Sequence, residues 1–238
     1  RDNEAYVEGN LIDIPFFYFY NFKKETIKER RESNERLAIN NSRPIIAEYF
    51  WQDSKGNQKG IKITGPPETG VPGEYEYNVL MALLYLYSQQ NNQLTITDGR
   101  IENLSPEISF NFTDISKKLG HKVVSGENIR RIKEAIRNLM MTTITEIHED
   151  SLYKKGQGKS EEVLYHILEY TKLSETKSIG ENRVTGIVKI NGFFFENLCN
   201  SYFKIIDYES YIKLKSIIAR RLYLILSKWQ KPAYLKYE

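Results

Sequence analysis

The segment from Phe110 to Met141 constrains the fold more than any other part of the chain. Phe112, Ile115 and Leu119 recur at spacings of three and four, which puts them on one face of a short helix, and Gly120 can supply its left-handed stop. His121-Lys122-Val123-Val124-Ser125 leaves room only for a tight connection. Ser125 or Gly126 then caps a longer helix to about Met140, along which Ile129, Ile132, Ile136, Leu139 and Met140 form a continuous apolar stripe. A short helix, a tight turn and a longer helix make a helix-turn-helix.

The opposite face of the second helix carries Asn128, Arg130, Arg131, Lys133, Glu134, Arg137 and Asn138. Arginine can bridge O6 and N7 of guanine, asparagine can do the same for adenine, and lysine neutralises phosphate. Backbone N–H groups at the Ser125-Gly126 start could hold a further phosphate. A charged helix face is also what any helix turns to water, so the flanking sequence matters. Thr142 to His148 alternates as a strand anchored by Ile144 and Ile147, Glu149 to Ser160 is a polar loop with two glycines, and Val163 to Tyr170 returns as a second strand. Strand, basic loop and strand directly behind a recognition-type helix describe a wing. The candidate DNA contacts are therefore Ser125, Asn128, Arg130, Arg131, Lys133 and Arg137 on the helix, with Lys154, Lys155 and Lys159 at the wing tip. The fold class expected is α+β: a winged helix with extra antiparallel strands.

Those extra strands lie upstream and downstream. Residues 11 to 22 look like a short aromatic strand bent at Pro15, and 23 to 43 like an exposed charged helix or loop. Ile45 to Gln52 and Gly60 to Thr64 are strands joined by a turn at Asp53 to Asn57. Gly65 to Gly73 holds three prolines and three glycines and can continue neither strand nor helix. It is no phosphate-cradling loop, because Gly70 is followed by Val71 and Pro72 where such a loop needs lysine and a hydroxyl. A helix capped by Asn78 runs to Gln89–Asn92, a short strand follows at 94 to 97, and 98 to 110 read as a loop. Val184 to Ile190 and Tyr202 to Ile206 are strands flanking a short apolar helix or turn at 191 to 199. One long helix spans Tyr208 to about Trp229.

Composition excludes several classes. Of the 238 residues, 34 are basic and 31 acidic, a formal charge of +3 that argues for no partner alone, although 208 to 238 are locally basic. The single cysteine, Cys199, permits no internal disulfide and reads as a buried thiol in an apolar run. His121, His148 and His166 are not spaced as metal ligands, and no carboxylate pair suggests acid–base work, so no catalytic residue, metal or cofactor is expected. No leader or membrane span is expected, and the cytoplasm is the expected compartment.

The order of these segments resembles the replication initiator protein A family, initiators of bacterial and phage-like plasmids built from two winged-helix domains. The resemblance rests on Leu11 to Phe19 as an opening strand, Gly73 to Tyr87 and Phe110 to Arg137 as the winged-helix core, and Tyr202 to Asp207 leading into Ser216-Ile217-Ile218-Ala219-Arg220-Arg221-Leu222-Tyr223. It implies binding to directly repeated origin DNA, a homodimer made through the first domain, and recruitment of host initiator or helicase proteins. It also implies a division into an N-terminal winged-helix domain over 1–207 and the first helix of a second over 208–238. A winged-helix transcriptional regulator, or a dimerisation module that touches DNA only weakly, would share much of this pattern.

Overall fold

The computed structural model describes residues 3–14, 16–17, 43–154, 164–178 and 181–229. Its order is β1 (Glu4–Glu8), α1 (Gly9–Asp13), β2 (Ile46–Gln52), β3 (Gln58–Thr64), α2 (Glu74–Gln90), β4 (Ile96–Thr97), β5 (Arg100–Ile101), β6 (Glu107–Asn111), α3 (Phe112–Lys118), α4 (Gly126–Met141), β7 (Thr143–Glu146), β8 (Leu164–Tyr165), β9 (Leu168–Ser178), β10 (Glu181–Ile190), α5 (Gly192–Cys199), β11 (Phe203–Asp207), α6 (Tyr208–Lys213) and α7 (Ile217–Trp229). The fold is α+β with open antiparallel sheets, a winged-helix architecture carrying extra strands.

Helix α2 organises the core. It buries Tyr77, Val79, Leu80, Met81, Ala82, Leu83, Leu84, Tyr85 and Tyr87, so it is apolar nearly all round and must be covered on every side. Strand β1, the α3–α4 pair and β6 supply the covers. The helix begins at Glu74, four residues before the Asn78 cap expected, because the Glu76 carboxylate accepts from Gly73 N at 2.8 Å and satisfies the start of the helix. Gly65 and Gly70 explain the broken segment before it. A side chain on Gly65 would lie 2.2 Å from the Gly70 carbonyl carbon, and Gly70 itself takes a positive φ of 67°. These glycines let two backbones cross.

Three strands form the winged-helix sheet in the order β6-β10-β9, and four form a second sheet in the order β2-β3-β7-β8. This corrects the expected wing. Thr143–Glu146 does pair with Leu164–Tyr165, but both extend the β2–β3 hairpin, with Ile63 opposite Ile144 and Ile144 opposite Tyr165. The wing is the later hairpin β9–β10, whose inner strand pairs with β6 inside the segment 98–110 expected to be a loop. Packing selects this partner: the Phe110 ring lies over Gly186, leaving no room there for a side chain.

The chain ends close on each other. β1 pairs with β11, from Glu4 opposite Asp207 to Glu8 opposite Phe203. Residues 9–13 form a helix where the sequence suggested the start of a strand, and Phe16 and Phe17 follow in the core; the rest of that aromatic run, and most of the charged stretch at 23–43, lies outside the described residues. The expected long C-terminal helix is two. The Arg220 side chain donates to Leu214 O at 2.8 Å and Ile212 O at 3.3 Å, satisfying carbonyls at the end of α6 and holding the break before α7. Its neighbour Arg221 donates to Leu11 O at 3.0 Å and Ile12 O at 2.8 Å, tying α7 to α1.

Beneath this closure Glu8 is buried at 1% exposure. Its carboxylate accepts from Asn197 Nδ2 at 2.8 Å, Asn10 Nδ2 at 2.9 Å and Leu11 N at 3.1 Å, and forms no ion pair among the described residues. Burial pushes its carboxyl up from 4.5 to about 8 despite these hydrogen bonds. Below pH 4.5 the side chain is protonated in both folded and unfolded chains. Between there and about 8 the unfolded chain loses a proton that the folded one keeps, so Glu8 makes stability fall as pH rises across this window. Glu8→Gln should flatten that fall and be the more stable form at pH 8, as read from urea midpoints at pH 5 and 8; parallel pH dependences would show that Glu8 does not set the slope.

Candidate nucleic-acid interface

The helix-turn-helix is built as its sequence suggests. Gly120 has a φ of 83°, Gly120 N donates to Lys117 O at 2.9 Å and His121 N to Ser116 O at 3.1 Å, a paired closure that ends α3 and turns the chain. Ser125 caps α4, its hydroxyl accepting from Asn128 N at 3.2 Å. Ile132, Ala135, Ile136 and Leu139 are buried along one side of α4, against α2 and α3.

The polar side of α4 is less uniform than its sequence. Arg130 is held by two carboxylates: Nε and Nη2 donate to Glu127 at 2.9 and 2.7 Å, and Nη1 to Glu134. That hydrogen bond holds the Glu127 carboxyl below its ordinary range. Asn128 Nδ2 donates to Val123 O at 2.9 Å and so fastens the turn. Asn138 is no surface residue: it is buried, and its side chain faces Thr142. Arg131 lies over the Tyr75 ring at 4.6 Å, and Lys133 is half-buried, 5.6 Å from the Phe112 ring centre. Arg137 is exposed with no hydrogen bond or ion pair among the described residues. The same holds for the side chains of Lys117 and Lys122, at the end of α3 and in the turn. Sequence reasoning passed over these two because it weighed only the second helix and the wing.

Of the expected wing-tip lysines, Lys154 does not join this face. Lys154 is 6% exposed and its ammonium lies 2.7 Å from Glu146, itself 9% exposed, while Glu146 Oε1 accepts from Leu152 N at 2.7 Å. The reason is the pairing of β7 with β3: the loop after it folds back over the second sheet, and Lys154 neutralises the carboxylate beneath. Lys155 and Lys159 lie outside the described residues. On the wing proper Lys172 is exposed, and Lys177 and Arg183 fall on β9 and β10 near the hairpin end. Cys199 is buried, as its apolar run suggests. Among the described residues no three His, Cys, Asp or Glu side chains gather to hold a metal ion, and no helix is long and apolar enough to cross a membrane.

Comparison with known proteins follows the same outline. The family model for replication initiator protein A matches residues 38–231. Two crystal structures of domains 2 and 3 of RctB share the fold, with TM-scores of 0.54 and 0.51 at 17% identity. Each match covers 79% of this chain and 65% of the RctB chain, so this chain spans just under two thirds of those structures. No curated protein matches in sequence.

Lys154 should act on stability. Removing one partner of a buried ion pair leaves the other uncompensated, so Lys154→Ala is expected to cost about 3 kcal/mol in urea denaturation. A loss below about 1 kcal/mol would mean that Glu146 finds solvent in the variant.

Proposed function

The chain belongs to the replication initiator protein A family, and from that membership we propose that it binds double-stranded origin DNA at directly repeated sites and helps bring host initiator or helicase proteins there, without covalent chemistry of its own. The observation that carries this reading is the set of cations Lys122, Arg131 and Arg137, which line the helix-turn-helix without a carboxylate partner among the described residues. Cations without a salt bridge on such a motif suit a phosphate backbone.

Two features favour α4 as a positioning helix and not a base reader. Asn128 spends its amide on the turn, and Arg130 is already neutralised by Glu127 and Glu134. The exposed stripe Ile218, Leu222, Leu226 and Trp229 on α7 supports a second unit of the initiator packing there. The triple variant Lys122→Ala/Arg131→Ala/Arg137→Ala should lower the slope of log affinity against log salt by about three, whereas Arg130→Ala should change it by less than one. Duplex-binding isotherms across a salt series check this, and equal slopes in wild type and triple variant would remove the direct-contact reading.

The same reading includes a homodimer, supported by strand β2. Among the described residues it is an edge of its sheet, and Ile46 and Phe50 beside that edge are 49% and 58% exposed. An unguarded edge can pair antiparallel with its own copy. A two-fold axis at Tyr49 would set Ala47 against Trp51 of the second copy and keep both cores on one side. Ile46→Lys/Phe50→Lys should then yield a monomer in sedimentation equilibrium; an unchanged mass distribution would exclude this edge as the interface.

A further inference from the structure

A second polar site lies behind the helix-turn-helix. Tyr75 and Asn78 from the first turns of α2, His121 from the turn, Arg131 from α4 and Arg220 from α7 line a cavity of about 210 Å³. Its polar lining offers donors and no carboxylate. The Tyr75 hydroxyl is buried without a hydrogen-bond partner, which is uncommon for a group that has given up water. Asn78 accepts from Arg220 Nη1 at 2.8 Å through Oδ1, so its amide nitrogen points elsewhere and has no partner among the described residues. Arg220 commits one N–H each to Leu214 O, Ile212 O and Asn78, leaving two of its five N–H groups. Arg131 makes no hydrogen bond or ion pair and is steered by its stacking on Tyr75. His121 uses Nδ1 on the Ser116 hydroxyl at 3.0 Å, which leaves Nε2.

The carboxylates whose charge reaches Tyr75 are Glu76 and Glu127, and each is engaged by another arginine. Glu76 binds Arg43 at 2.6 Å, and Glu127 binds Arg130 at 2.7 Å. Two guanidinium groups thus line one small cavity with no anion of the protein between them. Such an arrangement favours a multiply charged acceptor, and a cavity of this size suits a small anion better than the larger organic ligands of most pockets. Guanidinium and amide groups lining one cavity suit the several oxygens of a tetrahedral oxyanion.

We propose that this cavity is an oxyanion site that takes one phosphate-class group, held by Arg131, Arg220, Tyr75 and Asn78 with His121 at its rim. An anion there bridges α4, the turn and α7. Two sources share this chemistry: a backbone phosphate of bound duplex, which rests on the DNA reading above, and free phosphate, which does not.

The test uses the chain with inorganic phosphate as probe, following the His121 imidazole by NMR at fixed pH against sodium chloride of equal ionic strength. Phosphate should shift His121 saturably and leave His148 and His166 in place. Arg131→Gln should weaken this binding at least tenfold and Tyr75→Phe several-fold, with both variants retaining the wild-type melting temperature. Adding duplex separates the sources. Release of phosphate with a new His121 shift assigns the site to the DNA backbone; phosphate retained beside bound duplex assigns it to a free anion. If duplex does not bind at all, the DNA reading fails while the phosphate titration still decides the site. No saturable phosphate shift, an equal shift from chloride, or equal affinity in Arg131→Gln would overturn the proposal.

Discussion

The burial of α2 is the constraint on which the rest of the structure depends. A helix that presents Val79, Leu80, Leu83, Leu84, Tyr85 and Tyr87 in nearly every direction cannot lie on the surface of a three-helix unit. The helix-turn-helix covers one side and β6 another, yet the side facing Phe17 and Tyr6 needs a cover from elsewhere. β1 supplies it, and β11 holds β1 in place. The added strands at both ends are therefore part of the same core as the winged helix. The aromatic pairs Phe17–Tyr77 and Tyr85–Tyr208, each with ring centres 4.7 Å apart, join them.

This explains which parts were legible in the sequence. The helix-turn-helix could be read locally because its period, its glycine stop and its serine cap each involve residues a few positions apart. The wing could not. The β7–β8 and β9–β10 hairpins both follow the helix-turn-helix, and the choice of β10 as the partner of β6 is made by the fit of Phe110 over Gly186, far apart in sequence. Lys154 misled for a related reason. A lysine in a polar loop looks solvated unless the loop is known to fold back onto Glu146. The break between α6 and α7 contains neither proline nor glycine, and only the reach of Arg220 reveals it.

On the candidate interface, residue type was a weaker guide than partnership. Arg130, Arg131 and Arg137 are equivalent in a list of cations, but one is closed in a cage of two glutamates, one leans on a tyrosine and one is open. A helix whose charges are partly cancelled by its own acids keeps its long-range attraction low. Its contacts then depend on close fit. Lys117 and Lys122 extend the positive edge onto α3 and the turn, so the cationic surface follows the motif and not a single helix.

The pairing of β1 with β11 also sets an order of events during synthesis. Glu4 meets Asp207 across most of the chain, so this ladder has a high contact order and forms only once nearly all of the domain has left the ribosome. From the end of α2 at Gln90 until Asp207 is made, one flank of α2 stays uncovered, and at about 5–20 residues per second that interval lasts roughly six to twenty-three seconds. The nascent chain thus carries an exposed apolar helix while residues 91–207 are added. Its yield depends on what shields that helix before the two ends meet.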